Sequence, residues 1–266
     1  MTVYADVFRY RELFSSLFRR DLRAKYKGSF LGLAWSLLHP LVLMGVYLLV
    51  FSLLWKVAEV GTSDYWLFLL CGLPAWVFFA TAVQASTRSL LENANLIRKV
   101  RFPRQLVPLS IVATNLVAFG VMLVVVLVLS LIVRPEARST VWIAIPIGAL
   151  FACLVAGVAL ALASLNALYR DVEHLIAALL LPWFFLTPIL YTYGALPATE
   201  EHPTLVEILH WVNFMAPPII AIRDPLFYGT MPDWKDALYL AAAAVVSLGL
   251  GAWVFSRLDD RLAVEL

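Results

Sequence analysis

Residues 105–133 read QLVPLSIVATNLVAFGVMLVVVLVLSLIV, a run of 29 residues without one charged side chain. A helix of about 20 apolar residues crosses the hydrocarbon core of a bilayer, and this run exceeds that length. Inside lipid a chain must satisfy its own backbone hydrogen bonds, which a helix does within one segment. Five more runs lack Asp, Glu, Lys and Arg over the length of a span, namely residues 28–55, 65–87, 139–169, 175–199 and 237–256.

These six runs occupy more than half of the 266 residues, so little chain is left for a soluble domain. The composition is 62% hydrophobic and 14% charged, whereas an ordinary soluble domain is about 25% charged. The sequence therefore predicts an all-α polytopic membrane protein with six transmembrane helices, in which residues 1–266 form one domain. Its two cysteines, Cys71 and Cys153, fall inside predicted spans and are interpreted as small buried hydrophobic residues.

The distribution of lysine and arginine predicts the orientation in the membrane. Fifteen of the 20 basic residues lie on one side of the membrane. They are in the segment before span 1, the link between spans 2 and 3, the link between spans 4 and 5, and the segment after span 6. Only Lys56, Arg134, Arg138, Arg223 and Lys235 lie on the other side. Because basic residues concentrate on the cytoplasmic side, both termini are expected in the cytoplasm.

Two basic segments on that side have helical patterns. In residues 6–27 one face carries Tyr10, Leu13, Phe14, Leu17 and Phe18, and arginines lie around the other, which predicts an amphipathic helix along the membrane interface. A plain positively charged flank is the alternative. Residues 90–101 predict a short cytoplasmic helix that ends before Pro103, with a solvated loop as the alternative.

The stretch before the last span departs from the alternation of spans and loops. Residues 196–228 hold five prolines, including the Pro217-Pro218 pair, and the charge-free run inside them is too short to span. A broken apolar segment of this kind is typical of re-entrant or surface-lying helices. We expect it on the outer side.

Several kinds of chemistry have no motif here. The sequence contains no G-x-x-x-x-G-K-[ST] loop for nucleotide phosphates, and its four histidines are scattered. It also lacks a carboxylate near the middle of a span, where ion-coupled transporters place one. If the protein moves a substrate, the energy is expected to enter through a partner.

Three segments together are similar to one known family. They are RDLRAKYKGSFLGLAW at 20–35, NANLIRKVRFP at 93–103, and YRD at 169–171 with TPILY at 187–191. In this order, and with six spans, they resemble the membrane subunit of a type-2 ABC exporter. The likeness covers nearly the whole chain. Within this family the sequence resembles the group that exports O-antigen, teichoic acid and related cell-envelope polysaccharides, including galactan.

The resemblance implies a multi-pass permease of the bacterial inner or plasma membrane. It implies a homodimer bound to two copies of an ABC ATPase, with the channel between the two permeases. The substrate would be a polyprenyl-diphosphate-linked glycan taken from the inner leaflet and exported from the cytoplasm to the outer side. ATP and Mg²⁺ would be bound by the partner, so this chain would need no cofactor or metal and would not be an enzyme. Membrane lipids are expected partners and nucleic acids are not.

The resemblance also implies roles for particular residues. Residues 90–101 would be the coupling helix that docks on the ATPase, through Glu92, Asn93, Leu96, Ile97, Arg98 and Lys99. A gate for the lipid diphosphate would be formed by Arg20, Arg23, Lys25 and Lys27. The 196–228 segment would close the exit. Aromatic residues would line the conduit, because sugars stack on aromatic faces; these are Tyr47, Phe51, Trp183, Phe184, Phe185 and Tyr191.

Each of these roles has a structural alternative. Trp183, Phe184 and Phe185 point three ways on a helix, and the interpretation favours Phe184 and Tyr191 for the channel over the other two. The basic side chains of the gate could equally hold anionic headgroups, since both ligands carry phosphate. Arg170-Asp171 is interpreted as a structural ion pair at a helix end.

Other functions stay open on the sequence. An ABC permease for a small lipid or drug would share the same fold, although the aromatic faces and the basic gate helix favour a glycan. A membrane-embedded lipid glycosyltransferase would need paired carboxylates near the headgroups, for which the sequence offers Asp259-Asp260 and Asp171 with Glu173. A non-transporting scaffold would leave the re-entrant segment without a purpose.

Overall fold

The computed structural model describes residues 2–27, 32–50, 64–100, 102–196 and 198–265, and each regular element within them is helical. The all-α class predicted from the sequence is confirmed. The α-helices of these ranges are α1 (Thr2–Arg9), α2 (Arg11–Tyr26), α3 (Trp35–Tyr47), α4 (Tyr65–Glu92), α5 (Ala94–Lys99), α6 (Leu106–Val133), α7 (Ala144–Leu168), α8 (Asp171–Leu186), α9 (Ala198–Glu201), α10 (Pro203–Val212), α11 (Ala216–Arg223) and α12 (Trp234–Glu265).

Four helices of the described chain are long and apolar enough to cross a membrane. They are Tyr65–Glu92, Leu106–Val133, Val141–Leu168 and Trp234–Asp259, which correspond to predicted spans 2, 3, 4 and 6. A polytopic membrane protein is therefore confirmed, whereas a count of six spans is not. Predicted span 1 contains α3, but residues 51–63 lie outside the described ranges.

The fifth predicted span, 175–199, does not form one full-length helix. The structure has α8 starting earlier, at Asp171, and ending at Leu186 after 16 residues. At 1.5 Å per residue that is about 24 Å, less than the roughly 30 Å of a hydrocarbon core. The helix ends there because a residue before proline disfavours the helical conformation, and Thr187 before Pro188 is extended at φ −93° and ψ 136°.

The segments between the spans also differ in detail from the expected boundaries. The predicted 6–27 helix is two helices, α1 and α2, that meet at Tyr10. Most of the predicted 90–101 helix divides between the end of α4 and the six-residue α5, with Asn93 between them. In the 196–228 segment, Pro203–Val212 and Ala216–Tyr228 meet at a bend of 91°. This sharp bend is the geometry of a broken or re-entrant segment.

The helices pack between two ends, each with its own buried contacts. At one end α1, α2 and α5 surround a cluster that includes Leu17, Leu90, Leu106 and Phe255. We refer to this end as the coupling end, after the coupling helix that the sequence predicts here. At the other, called the re-entrant end after the predicted segment 196–228, α11 packs on the larger core built on α4, α6 and α7, and α10 packs against α11. The sites considered below lie at these two ends and along α4, which joins them.

Helices α7 and α12 cross in very close contact, which two glycines allow. A Cβ atom at Gly157 would lie 2.2 Å from the backbone carbonyl carbon of Ser247. A Cβ at Gly251 would lie 2.4 Å from the carbonyl oxygen of Gly157. Small residues at helix crossings let backbones approach in membranes, where van der Waals packing drives association.

Candidate functional site

The end of α4 and the short helix α5 present polar side chains to solvent at the coupling end. Glu92, Arg98 and Lys99 are exposed, and Asn93 is half-buried. Asn93 makes the turn between α4 and α5, since its side-chain amide and its backbone N–H both donate to the carbonyl of Ser89, at 2.9 and 3.1 Å. Its own carbonyl accepts the N–H groups of Leu96 and Ile97, which begin α5.

The opposite face of α5 is apolar and faces the protein. Leu96 and Ile97 are partly buried against the coupling-end cluster. The six residues predicted to couple to an ATPase therefore differ in position. Glu92, Arg98 and Lys99 are exposed, Asn93 forms the turn, and Leu96 and Ile97 attach the helix to the bundle.

A buried asparagine fixes α8 to α4 beside this helix. Asn166 is fully buried at the end of α7, and its amide donates to the carbonyl of Thr87 at 2.9 Å. Its carbonyl accepts the backbone N–H of Glu173 in the first turn of α8, also at 2.9 Å. The Glu173 carboxylate then pairs with Arg88 of α4 at 2.9 Å. The expected Arg170–Asp171 ion pair is not among those of the described chain, and Glu173 is the acidic residue of this turn that is paired.

Asn166→Ala is expected to lower the free energy of unfolding by about 2–3 kcal/mol, because the Glu173 N–H loses its acceptor and the hydrogen bond from α7 to the Thr87 carbonyl of α4 is lost. Ser164→Ala is the matched control, since the Ser164 hydroxyl bonds only to carbonyls of its own helix. Its expected cost is about 1 kcal/mol or less. Thermal unfolding of the purified variants measures both, and equal losses would contradict the bridging role of Asn166.

The basic residues predicted as a lipid gate separate into two positions. Arg20, Arg23 and Lys27 line an open groove of about 1340 Å³ along the polar face of α2. Lys25 turns the other way, and its ammonium donates to the side-chain carbonyl of Asn115 in α6 at 2.8 Å. Burial lowers the pKa of Lys25 from its usual 10.5. A desolvated ammonium gains more from an anionic ligand than a solvated one.

Lys25 and Arg20 also border a second, more polar cavity of about 660 Å³ between α2, α4 and α6. We call it the α2–α4–α6 cavity. Arg20 is held within it by Asp21, whose carboxylate accepts from the Arg20 guanidinium at 2.8 Å and from the Ser110 hydroxyl at 2.8 Å. The rest of its wall in the described chain consists of Ala24, Thr81, Gln84, Ala85, Arg88, Glu92, Asn93, Ile111, Thr114 and Asn115. It reaches from Lys25 to the start of the coupling segment.

The predicted channel aromatics meet near the re-entrant end. Tyr47 of α3 stacks on Phe184 of α8, with ring centroids 5.4 Å apart, and Trp76 of α4 contacts Phe184 edge-on at 5.6 Å. Phe51 lies outside the described residues. The structure thus brings Tyr47 and Phe184 into contact beside Trp76 of α4, although they are far apart in sequence.

The aromatic residues of α8 differ in their exposure in the single chain. Phe184 is 4% exposed and Phe185 is 51% exposed. In the single chain Phe184 is a packing residue, because α4 and α3 cover it, and Phe185 is the residue that points away. Tyr191 is half-buried, and its hydroxyl donates to the Phe185 carbonyl at 2.9 Å. A role of any of them in a conduit stays a prediction.

Trp183 ties α8 to the re-entrant segment through Asn213. The indole N–H donates to the Asn213 side-chain carbonyl at 2.7 Å. The Asn213 amide donates in turn to the Thr187 hydroxyl at 3.0 Å, and the Trp183 ring packs edge-on against Phe214 at 4.7 Å. The Trp183 ring therefore has a structural role that does not depend on a substrate.

Further contacts fasten the re-entrant segment to the bundle. The fully buried guanidinium of Arg223 donates to the Ile189 carbonyl at 2.9 Å and lies 3.8 Å above the ring centroid of Phe68. His210 of α10 lies 2.8 Å from the carboxylate of Asp236 in α12. The segment is thus held by side chains from α4, α8 and α12.

Sequence reasoning did not assign a role to Asn166, Gln84 or Arg88. The sequence does contain a signal for Gln84 and Arg88. Polar residues recur in α4 at intervals of three or four and so share one face of the helix, namely Thr81, Gln84, Arg88 and Glu92. The role of Asn166 depends on contacts among α4, α7 and α8, which the sequence alone does not show. Among the described residues no group of three or more His, Cys, Asp and Glu side chains is placed to hold a metal ion.

Comparison with known proteins identifies the family. Residues 12–227 match the model of the ABC-2 type transporter family. The chain belongs to this family. The ABC-2 transporter chain is 30% identical over 265 residues to the O-antigen export system permease protein RfbA of Myxococcus xanthus, covering 98% of each chain. It is 31% identical over 250 residues to the protein of the same name from Klebsiella pneumoniae, covering 92% of this chain and 91% of the relative.

Membership confirms the sequence-based resemblance to a type-2 ABC permease. The ABC-2 chain is the membrane subunit of a transporter rather than an enzyme, which rules out the glycosyltransferase interpretation. An ABC ATPase partner and a multi-pass membrane location follow from the family and the apolar helices.

Proposed function

We propose that this ABC-2 permease exports a polyprenyl-diphosphate-linked cell-envelope polysaccharide of the O-antigen kind. The observation that carries the proposal is similarity along 98% of the chain to a permease named for O-antigen export. Likeness over 98% of the chain includes the segments between the spans as well as the spans themselves. The basic groove on α2 suits a diphosphate, because guanidinium groups match phosphate oxygens.

In this proposal the permease acts as a homodimer with two ATPase subunits in the bacterial inner or plasma membrane. Both termini and the coupling end face the cytoplasm, in accordance with the charge bias. The ATPase subunits bind ATP and Mg²⁺. The exposed side of α5 docks on them, and the re-entrant segment closes the exit on the outer side.

Co-purification of the tagged permease in mild detergent, followed by reconstitution into vesicles, tests the proposal. We expect a stoichiometric ABC ATPase whose activity rises when a prenyl-diphosphate-linked oligosaccharide is added. ATP-dependent appearance of the glycan on the opposite side, detected with a lectin, completes the assay. Stimulation by phospholipid or by a drug panel but not by the glycan would favour the alternative of a small-lipid or drug permease.

Arg23→Ala combined with Lys27→Ala is expected to reduce glycan-stimulated ATPase activity about tenfold, because two charge-assisted contacts to the diphosphate are lost. The activity measured without glycan should not change. Arg138→Ala is an arginine control, since this exposed arginine lies at the re-entrant end, beyond α6. If both changes had the same effect, the groove on α2 would not be the gate.

A further inference from the structure

Three kinds of surface follow one another along the wall formed by α2, α4 and α6. A cavity of about 250 Å³ is lined mainly by apolar side chains, including Trp35, Pro74, Phe78 and Phe119. It shares Lys25, Thr81 and Asn115 with the α2–α4–α6 cavity, so these three residues mark the boundary between the two. Beyond the boundary, toward the coupling end, the wall is polar.

The polar part of this wall is a stripe on α4. Thr81, Gln84, Arg88 and Glu92 all line the α2–α4–α6 cavity, and their spacing places them on one helix face. Polar residues in a transmembrane helix are costly in lipid and usually face a cavity or a pathway. The stripe indicates that this face of α4 contacts water or a polar ligand.

Gln84 has unused hydrogen-bonding capacity in this stripe. Its side chain is half-buried, and no residue of the described chain hydrogen-bonds to its amide. A glutamine amide offers two donors and a carbonyl acceptor. Thr81, in contrast, donates to the carbonyl of Val77 within its own helix. The free amide of Gln84 matches a ligand rich in hydroxyl groups.

The charges of the cavity wall differ in their partners. Arg20 is paired with Asp21 and Arg88 with Glu173. Among the cations lining the cavity in the described chain, Lys25 alone has no carboxylate partner and is held by the neutral amide of Asn115. An ammonium has three donors, and one is used here. An anion beside Lys25 would therefore compensate a charge that the protein leaves unbalanced.

We propose that this wall is the subsite for the lipid-proximal part of the substrate, and the inference rests on the proposed function. The diphosphate enters through the groove on α2, which Arg20 shares with the α2–α4–α6 cavity, and then lies at Lys25. There the first isoprenoid units contact the apolar cavity, and the sugar attached to the diphosphate lies at Gln84. The order apolar, cationic, amide on the protein is the order tail, diphosphate, sugar in the ligand. The 660 Å³ volume is within the roughly 300–1,000 Å³ of small-molecule sites.

Two synthetic probes test the subsite on the purified permease–ATPase complex. They are farnesyl diphosphate and the same molecule carrying one N-acetylhexosamine. We expect the wild type to bind the sugar-bearing probe more tightly. Gln84→Met keeps the length of the side chain without its amide, and it should weaken binding of the sugar-bearing probe about tenfold while leaving farnesyl diphosphate unaffected.

Lys25→Met should weaken binding of both probes, because the diphosphate is common to them. Val124→Met, on an exposed part of α6, should change neither. Equal effects of Gln84→Met on the two probes, or displacement of the sugar-bearing probe by phosphatidylglycerol at the same concentration, would overturn the subsite.

Glycan transport by the reconstituted wild type separates this inference from the proposed function. Transport of the glycan together with equal affinity for the two probes would refute the subsite and leave the function standing. Absence of glycan transport would refute the function itself.

Discussion

Gly157→Leu is expected to leave almost no folded permease. A side chain at this position would overlap the backbone of Ser247, whose carbonyl carbon and oxygen lie 2.2 and 2.4 Å from the Cβ position. Backbone atoms cannot turn away as a side chain can, so α7 and α12 would have to separate along their crossing. Overpacking in a close-packed interior costs about 1–3 kcal/mol or more, and here nothing at the contact is adjustable. Size-exclusion chromatography of the detergent-solubilised protein measures the surviving fraction.

Glycines of α12 provide a matched pair for the same test. Gly251→Ala should be damaging as well, because its Cβ would lie 2.4 Å from the Gly157 carbonyl oxygen. Gly249→Ala, two residues earlier, meets nothing within 4 Å and should be neutral or slightly stabilising, by about 0.5–1 kcal/mol. Similar behaviour of the two alanine variants would show that the crossing is looser than the structure indicates.

Arg98→Ala is expected to reduce export at least about tenfold with no change in the thermal stability of the permease. The side chain is exposed on α5, the helix that we propose docks on the ATPase, so its loss affects the interface and not the core. Export by the reconstituted complex and thermal unfolding of the permease are the two measurements.

Ile97→Ala should lower both export and stability, because Ile97 is partly buried against the coupling-end cluster. We expect a loss of about 1–2 kcal/mol, less than for a fully buried isoleucine. Arg257→Ala is the arginine control at the same end of the molecule, exposed on α12, and should affect neither quantity. Normal export by Arg98→Ala would mean that α5 does not couple the permease to its ATPase.

The long spans were predictable because they depend on properties local to the sequence. A run without charge, longer than the bilayer core, leaves few alternatives to a helix, and α4, α6, α7 and α12 formed where such runs occur. The end of α8 was missed although its cause is also local. Pro188 lies inside the predicted span 175–199, and its effect on Thr187 ends the helix.

The candidate site was less predictable, because its contacts join distant parts of the chain. Periodicity tells which of Trp183, Phe184 and Phe185 share a face, but not which face the neighbouring helices cover. Phe184 is buried only because Trp76 and Tyr47 pack on it. In the same way, the four basic residues predicted as a lipid gate look equivalent in sequence, and only the fold turns Lys25 toward Asn115.

Helix α4 is in contact with both ends of the molecule, and its length has a mechanical consequence. Its 28 residues extend for about 42 Å, from Tyr65, whose hydroxyl donates to the Leu190 carbonyl, to the turn at Asn93 that begins α5. When a helix of this length tilts as one body it acts as a lever, so a tilt of about 5° displaces its far end by about 4 Å. A small rotation of α5, imposed by a nucleotide-driven partner, would thus move the re-entrant segment by a distance comparable to the width of a sugar ring. None of the helices between them would have to unfold.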